Sequence, residues 1–183
     1  MLISNKYLAE LRKLHGGQKK WGHQGDRWAP RVLELIESLE VTDVLDYGCG
    51  QGALKKAVRE KVFTIFNEYD PAIEGKNAPP ARANLVVCTD VLEHVEPDCI
   101  CDVLKHIHSL ANPFVFLTIA LLPARRTLPD GRNAHILLRP PEWWVSKLST
   151  VGFAHTKWYV THKELVYLGR TLTPDAQRIM LGE

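Results

Sequence analysis

The chain has no apolar run near the length of about 20 residues that a membrane-crossing helix needs. Its N-terminus also lacks the apolar core of a secretory signal, because Lys6, Glu10, Arg12 and Lys13 interrupt it. A cytoplasmic location without a membrane partner is expected. A surplus of charge is missing too: 23 Lys and Arg against 21 Asp and Glu leave a net +2, so no global basic field draws the chain to nucleic acid. Cysteine is scarce, and Cys49, Cys88, Cys99 and Cys101 do not imply disulfides. Cys99-x-Cys101 followed by His106 and His108 fits none of the usual paired templates for zinc. Repeats and low-complexity tracts are absent. At 183 residues the chain can bury a substantial core but cannot hold a catalytic domain and a separate recognition domain. These absences leave a small molecule as the expected partner of a single domain spanning 1–183.

What is present is an alternation of short apolar strands and amphipathic helices. Tyr7, Leu8, Leu11 and Leu14 recur at helical spacing between Ser4 and Leu14, which predicts a short helix packed as a flap. The glycine-punctuated stretch from His15 to Trp28, with Trp21 and Trp28 as aromatic anchors, reads equally as a lid or as an arm covering the sheet edge. A helix follows from about Pro30. Strands are expected near Asp43–Asp46, Thr64–Glu68, Leu85–Cys88, Phe114–Ile119, Ala154–Val160 and Leu165–Gly169. Helices are expected near Ala53–Glu60, Pro97–Leu110, Pro141–Val151 and Pro174–Leu181. This order predicts an α/β fold: a doubly wound, mostly parallel sheet ending in an antiparallel hairpin, since Thr161-His162-Lys163 is too short for a crossover helix. The core should occupy 29–170, after an N-terminal helix and possible lid (1–28) and before a tail helix (171–183).

Val44-Leu45-Asp46-Tyr47-Gly48-Cys49-Gly50-Gln51-Gly52 is an apolar strand that ends on an acid and breaks into a glycine turn opening a helix. Such a turn lets a ligand approach backbone N–H groups at a helix N-terminus. Gly48-x-Gly50-x-x-Ala53, with Asp70 about 20 residues on, also satisfies the dinucleotide pattern, so NAD has to be considered. Asp46 argues against it, because a carboxylate there repels a pyrophosphate and suits a cation carrying ammonium and sulfonium groups.

The run Val-Leu-Asp-Tyr-Gly-Cys-Gly-Gln-Gly resembles the first motif of class I, Rossmann-like S-adenosylmethionine-dependent methyltransferases. Two further segments agree in order and spacing: Phe63 to Pro71, ending on Asp70, and Asn84 to Val95. The resemblance covers roughly Ala29 to Arg170. It implies that S-adenosylmethionine is bound, and S-adenosylhomocysteine released, at Asp46, Tyr47, Gly48, Cys49, Gly50 and Gly52. It further implies that Asp70 and Pro71 serve the ribose, and that Thr89, Asp90 and Val91 lie beside the methionine and the methyl group. One departure stands out. Ala72 to Ala83 is too short, and with Gly75, Pro79 and Pro80 too broken, for the helix and third strand the family places there. A third strand that is short or missing is expected.

The segment from Ala120 to Pro140 contains no convincing element, and a loop of that length in a compact domain is usually functional. Arg125, Arg126, Arg132, Asn133 and His135 surround a Leu128-Pro129-Asp130-Gly131 turn and form a polar recognition set; the alternative is that Asp130, Arg132 and Asn133 satisfy one another. One of Trp143 and Trp144 should be core while the other walls the pocket. His135 and His94 are the candidate catalytic bases for a hydroxyl or amine acceptor. Asp90, Glu93 and His94 also resemble the segment that holds a divalent cation in some quinone-pathway methyltransferases, but the signal is weak and no metal is assigned. Motifs of DNA-base methyltransferases are absent. The reading is an enzyme that methylates oxygen or nitrogen of a small polar metabolite. A non-catalytic module that binds the cofactor as a sensor or partner subunit is the alternative, and a nucleic-acid methyltransferase is less favoured.

Overall fold

The computed structural model describes residues 1–17, 22 and 24–172. Trp21, most of the basic residues of the expected lid and the tail helix expected at 174–181 lie outside them. Helix α1 (Asn5–Gly16) starts where the Ser4 hydroxyl accepts the Tyr7 N–H at 3.2 Å. A one-turn 3₁₀ helix (Gly25–Trp28) leads into α2 (Ala29–Ser38), with Pro30 in its first turn, where a missing N–H costs nothing. Then follow β1 (Asp43–Tyr47), α3 (Ala53–Val58), β2 (Ile65–Tyr69), β3 (Ala83–Thr89), α4 (Ile100–Leu110), β4 (Ala111–Ala120), α5 (Pro141–Thr150), β5 (Phe153–Val160) and β6 (Glu164–Thr171).

The six strands form one sheet in the order β2-β1-β3-β4-β6-β5. The first four run parallel, while β6 pairs antiparallel with β4 and β5 with β6. This is the mostly parallel sheet with a terminal hairpin that the alternation of elements predicts. Consecutive apolar residues in the inner strands serve opposite faces, as expected of strands covered on both sides. Leu45, Val86, Cys88, Leu117 and Ile119 pack with α4 and α5 on one face. Val44, Leu85, Val87 and Phe116 pack with α2 and α3 on the other. Each fully buried Leu or Phe contributes about 1.5–3 kcal/mol, so the two layers hold the sheet rigid beneath the loops.

Between β2 and β3 the described residues form no strand, which leaves β2 at the sheet edge. The chain there doubles back: the Asp70 N–H donates to the Lys76 carbonyl at 2.9 Å, and the Lys76 ammonium reaches Glu68 at 2.9 Å and the Gly50 carbonyl at 3.3 Å. Element boundaries shift by a few residues from the sequence reading. The largest shifts are three residues: β4 begins at Ala111 rather than Phe114, and α4 begins at Ile100 rather than Pro97 because the Cys99 N–H closes a turn on the Glu96 carbonyl at 2.9 Å.

The long segment 121–140 is irregular but packed. The Gly131 N–H bonds the Leu128 carbonyl at 3.0 Å, closing the expected turn. Leu128 and Ala134 bury against Tyr7 of α1, with Ile3, Leu11 and Ile136 around them. Thus α1 and this loop form a roof beyond the carboxyl ends of the parallel strands. No helix among the described residues is long and apolar enough to cross a membrane.

Candidate active site

The strand order changes direction about β1, with β2 on one side and β3 on the other, and ligands of open α/β sheets bind at the carboxyl ends beside such a point. A cleft of about 790 Å³ opens there. Every cofactor-site residue expected from the sequence lines it except Gly52. Gly52 sits behind, at φ 78°, capping the start of α3, where a Cβ would strike the Glu68 carboxylate and the Lys76 ammonium. It shapes the turn without facing the cleft.

The glycine turn is held close by its neighbours. A Cβ on Gly48 (φ 77°) would collide with the Val91 side chain, and one on Gly50 (φ 52°) with the backbone of Gly22. The Gly22 carbonyl in turn accepts the Gln51 N–H at 2.9 Å, so the N-terminal segment lies directly against the turn. Asp70, at the end of β2, accepts the Gly50 N–H at 3.1 Å and the Ala72 N–H at 2.9 Å. Asp46, at the end of β1 and only 4 % exposed, is raised from 3.8 to about 8 by burial, with Glu68 and Asp70 adding and Lys76 opposing. Burial therefore disfavours the ionised carboxylate of Asp46, and a cation placed beside it would favour that form.

Thr89 and Asp90 close the far end of β3. The Asp90 carboxylate accepts from the Arg27 guanidinium at 2.6 Å, and the same guanidinium pairs with Glu164 at the start of β6. Asp90 sits at φ 57°, a left-handed conformation unusual for a residue with a side chain. Its proton affinity is nevertheless raised by burial, which outweighs the opposing Arg27. Arg27 is a cleft residue that sequence reasoning did not find, since nothing local announces a pair 63 and 137 residues apart. Trp28, beside it, packs edge-on against Phe116 at 5.6 Å and belongs to the core cover.

Beyond Asp90 the cleft widens under the roof. Leu2, Ile3, Tyr7 and Leu11 supply apolar wall, and Arg125, Arg126 and His135 supply polar wall. The expected recognition set therefore divides. Arg132 is engaged with Asp130 at 2.6 Å and lies over the Tyr7 ring, 5.9 Å from its centroid. Asn133 exchanges hydrogen bonds with both backbone groups of Ala124 at 2.9 Å and accepts the His135 N–H at 2.9 Å. Arg132 and Asn133 thus build the loop and aim His135, and they do not line the cleft. Trp144 is fully buried, but Trp143 does not wall the pocket as expected. It lies beneath the Arg139 and Lys147 cations on the outer side of α5.

His94 and His135, distant in sequence, meet with ring centroids 4.9 Å apart. The His94 Nδ1–H donates to the Ala134 carbonyl at 2.7 Å, and the His135 Nδ1–H donates to the Leu122 carbonyl at 2.6 Å. Burial lowers the proton affinity of His94. Beneath them Glu93 is fully buried and held above the usual carboxylate range by burial and by the nearby Asp90. The cysteine–histidine set of α4 does not assemble: His106 bonds the Tyr47 hydroxyl at 2.9 Å, and His108 donates to the Gly152 carbonyl at 3.2 Å.

Residues 20–162 match a family described as a methyltransferase domain. The chain belongs to this methyltransferase family. No curated protein matches it in sequence. Among solved structures, 1,6-didemethyltoxoflavin-N1-methyltransferase of Burkholderia thailandensis, with its substrate and S-adenosylhomocysteine bound, superposes with a TM-score of 0.66 at 20 % identity, over 94 % of this chain and 92 % of that one. Magnesium protoporphyrin IX methyltransferase of Synechocystis PCC 6803, with S-adenosylmethionine bound, gives 0.58 at 15 % identity, over 92 % of both chains. Human N-acetylserotonin methyltransferase, with S-adenosylmethionine bound, gives 0.59 at 16 % identity, over 92 % of this chain and 55 % of that one. At such identities the likeness is one of fold. The family membership favours the methyl-donor reading of the glycine turn over the dinucleotide one.

Proposed function

We propose that this methyltransferase-family protein uses S-adenosylmethionine to methylate an oxygen or nitrogen of a small polar metabolite. The observation that carries the reading is a single continuous cleft joining two unlike chemistries. At its inner end lie the glycine turn, Asp70 and the buried Asp46, suited to the ribose and the cationic methionine end of the donor. At its outer end lie the apolar wall of α1, Arg125, Arg126 and the His94–His135 pair, suited to an acceptor with polar or anionic groups. Methyl transfer from a sulfonium is an in-line displacement at an already activated carbon, so the protein's work is alignment and exclusion of water. The roof of α1 and loop 121–140 does the second. His94 and His135 activate an acceptor that carries a proton. The balanced charge favours a metabolite over nucleic acid.

The missing third strand motivates a second reading, a module that binds the donor without turnover, because β2 then has no strand on its outer side to back the adenine side of the cleft. Calorimetric binding of S-adenosylmethionine and S-adenosylhomocysteine, with NAD as control, tests the cofactor. Micromolar affinity for the two sulfur ligands alone is expected, and no binding would defeat both readings. Methyl transfer to a member of a broad metabolite panel then separates enzyme from module.

A further inference from the structure

We propose that Glu93, His94 and His135 form a binding site for a divalent first-row transition-metal ion, such as zinc, cobalt or manganese, at the acceptor end of the cleft. One ligand atom from each of the three lies within 4.8 Å of the other two. Ligand atoms about 2.0–2.2 Å from a common ion stand roughly 3–3.5 Å apart, so modest side-chain rotation closes the set.

Two observations beyond proximity point to a cation. Glu93 is completely buried; its Oε1 accepts the Ala120 N–H at 3.1 Å, whereas its Oε2 is buried with no hydrogen-bond partner. An unsatisfied carboxylate oxygen in such a position is costly and calls for an explanation. The second observation is the setting of the imidazoles. Both donate Nδ1–H to main-chain carbonyls, His94 to Ala134 and His135 to Leu122. A carbonyl can only accept, so a ring bearing a single N–H carries its lone pair on Nε2. This is the arrangement by which metal-binding histidines are fixed in tautomer and orientation. Two imidazoles and one carboxylate suit zinc and its transition-metal neighbours better than magnesium or calcium, which favour all-oxygen shells.

Asp90 is not part of the set, because Arg27 occupies its carboxylate at 2.6 Å. The cation site therefore differs from the Asp90–Glu93–His94 trio visible in the sequence, and its third ligand comes from loop 121–140, which Asn133 pins. The three ligands leave coordination positions open, where an acceptor oxygen bound as a further ligand would release its proton to solvent at a lower pH than when free. In this form the inference rests on the methyltransferase reading and deepens it: the histidines hold an ion instead of taking the proton themselves.

The test uses the full chain, stripped with a chelator and dialysed. Co²⁺ is titrated while its visible absorption is followed, and Zn²⁺ is titrated in competition with a chromophoric chelator. One equivalent per chain at micromolar affinity is expected, with at least tenfold weaker binding in both Glu93→Gln and His135→Ala. Substoichiometric binding by the wild type, or wild-type affinity in His135→Ala, would overturn the site. S-adenosylhomocysteine affinity measured on the same samples keeps the two proposals apart: its retention in His135→Ala shows an intact fold, and its absence in the wild type defeats the cofactor reading whatever the metal result.

Discussion

Asp70 Oδ2 accepts the amide proton of Gly50 at 3.1 Å, tying the end of β2 to the glycine turn after β1. The same carboxylate lines the cleft, so one side chain both shapes the turn and meets the ligand. Replacing Asp70 by Ala should weaken S-adenosylmethionine binding at least tenfold, from the loss of charge-assisted hydrogen bonds worth about 1.5–3 kcal/mol each. Isothermal calorimetry on the folded variant checks this, and an unchanged dissociation constant would remove Asp70 from the site.

Asp46 predicts a pH dependence whose sign follows from its raised proton affinity. Below about pH 4 folded and unfolded chains both hold the proton. Between 3.8 and about 8 the unfolded chain releases it and the folded chain keeps it, so the stability of the ligand-free protein falls as pH rises through that window. A cationic donor favours the ionised carboxylate, so its binding should expel a proton below about pH 8 and tighten with rising pH, by at most about tenfold per unit. Calorimetry in buffers of different ionisation enthalpy measures the released proton. No release at pH 6.5 would mean that Asp46 does not face the charged end of the donor.

Positive-φ glycines offer a paired control. Gly50→Ala places a methyl group against the Gly22 backbone, whereas Gly131→Ala, at φ 87°, meets open space. Both pay about 1–2 kcal/mol for a left-handed alanine. Only Gly50→Ala should also abolish cofactor binding, because the turn must move. Equal loss of binding in the two variants, with unfolding measured in urea alongside, would count against this placement of the N-terminal segment.

His135→Ala should lower the methyl-transfer rate constant by about one to two orders of magnitude, whether the imidazole takes the acceptor's proton or holds an ion that acidifies it. The dissociation constant for S-adenosylhomocysteine should stay within about twofold. Parallel loss of both would mean that loop 121–140 organises the cofactor rather than the acceptor.

The inner half of this molecule is legible in local sequence pattern. Apolar strands leading to Asp46 and Asp70, and a turn in which Gly48 and Gly50 take left-handed conformations that side-chain-bearing residues rarely adopt, are local patterns, and local backbone sterics decide them. The shortness of the segment between Asp70 and Ala83 likewise excluded a full third strand, because a strand and its crossover need a minimum length of chain. The outer half was decided only by tertiary structure. That Arg27 clasps Asp90 and Glu164, that Arg132 turns to Asp130 and the Tyr7 ring while His135 enters the cleft, and that Glu93 lies buried under two histidines all depend on how α1 and loop 121–140 pack over the sheet. These contacts join residues far apart in the chain. Hydrophobic periodicity reports which face of an element is buried, but it carries no information about which distant side chain will be buried beside it.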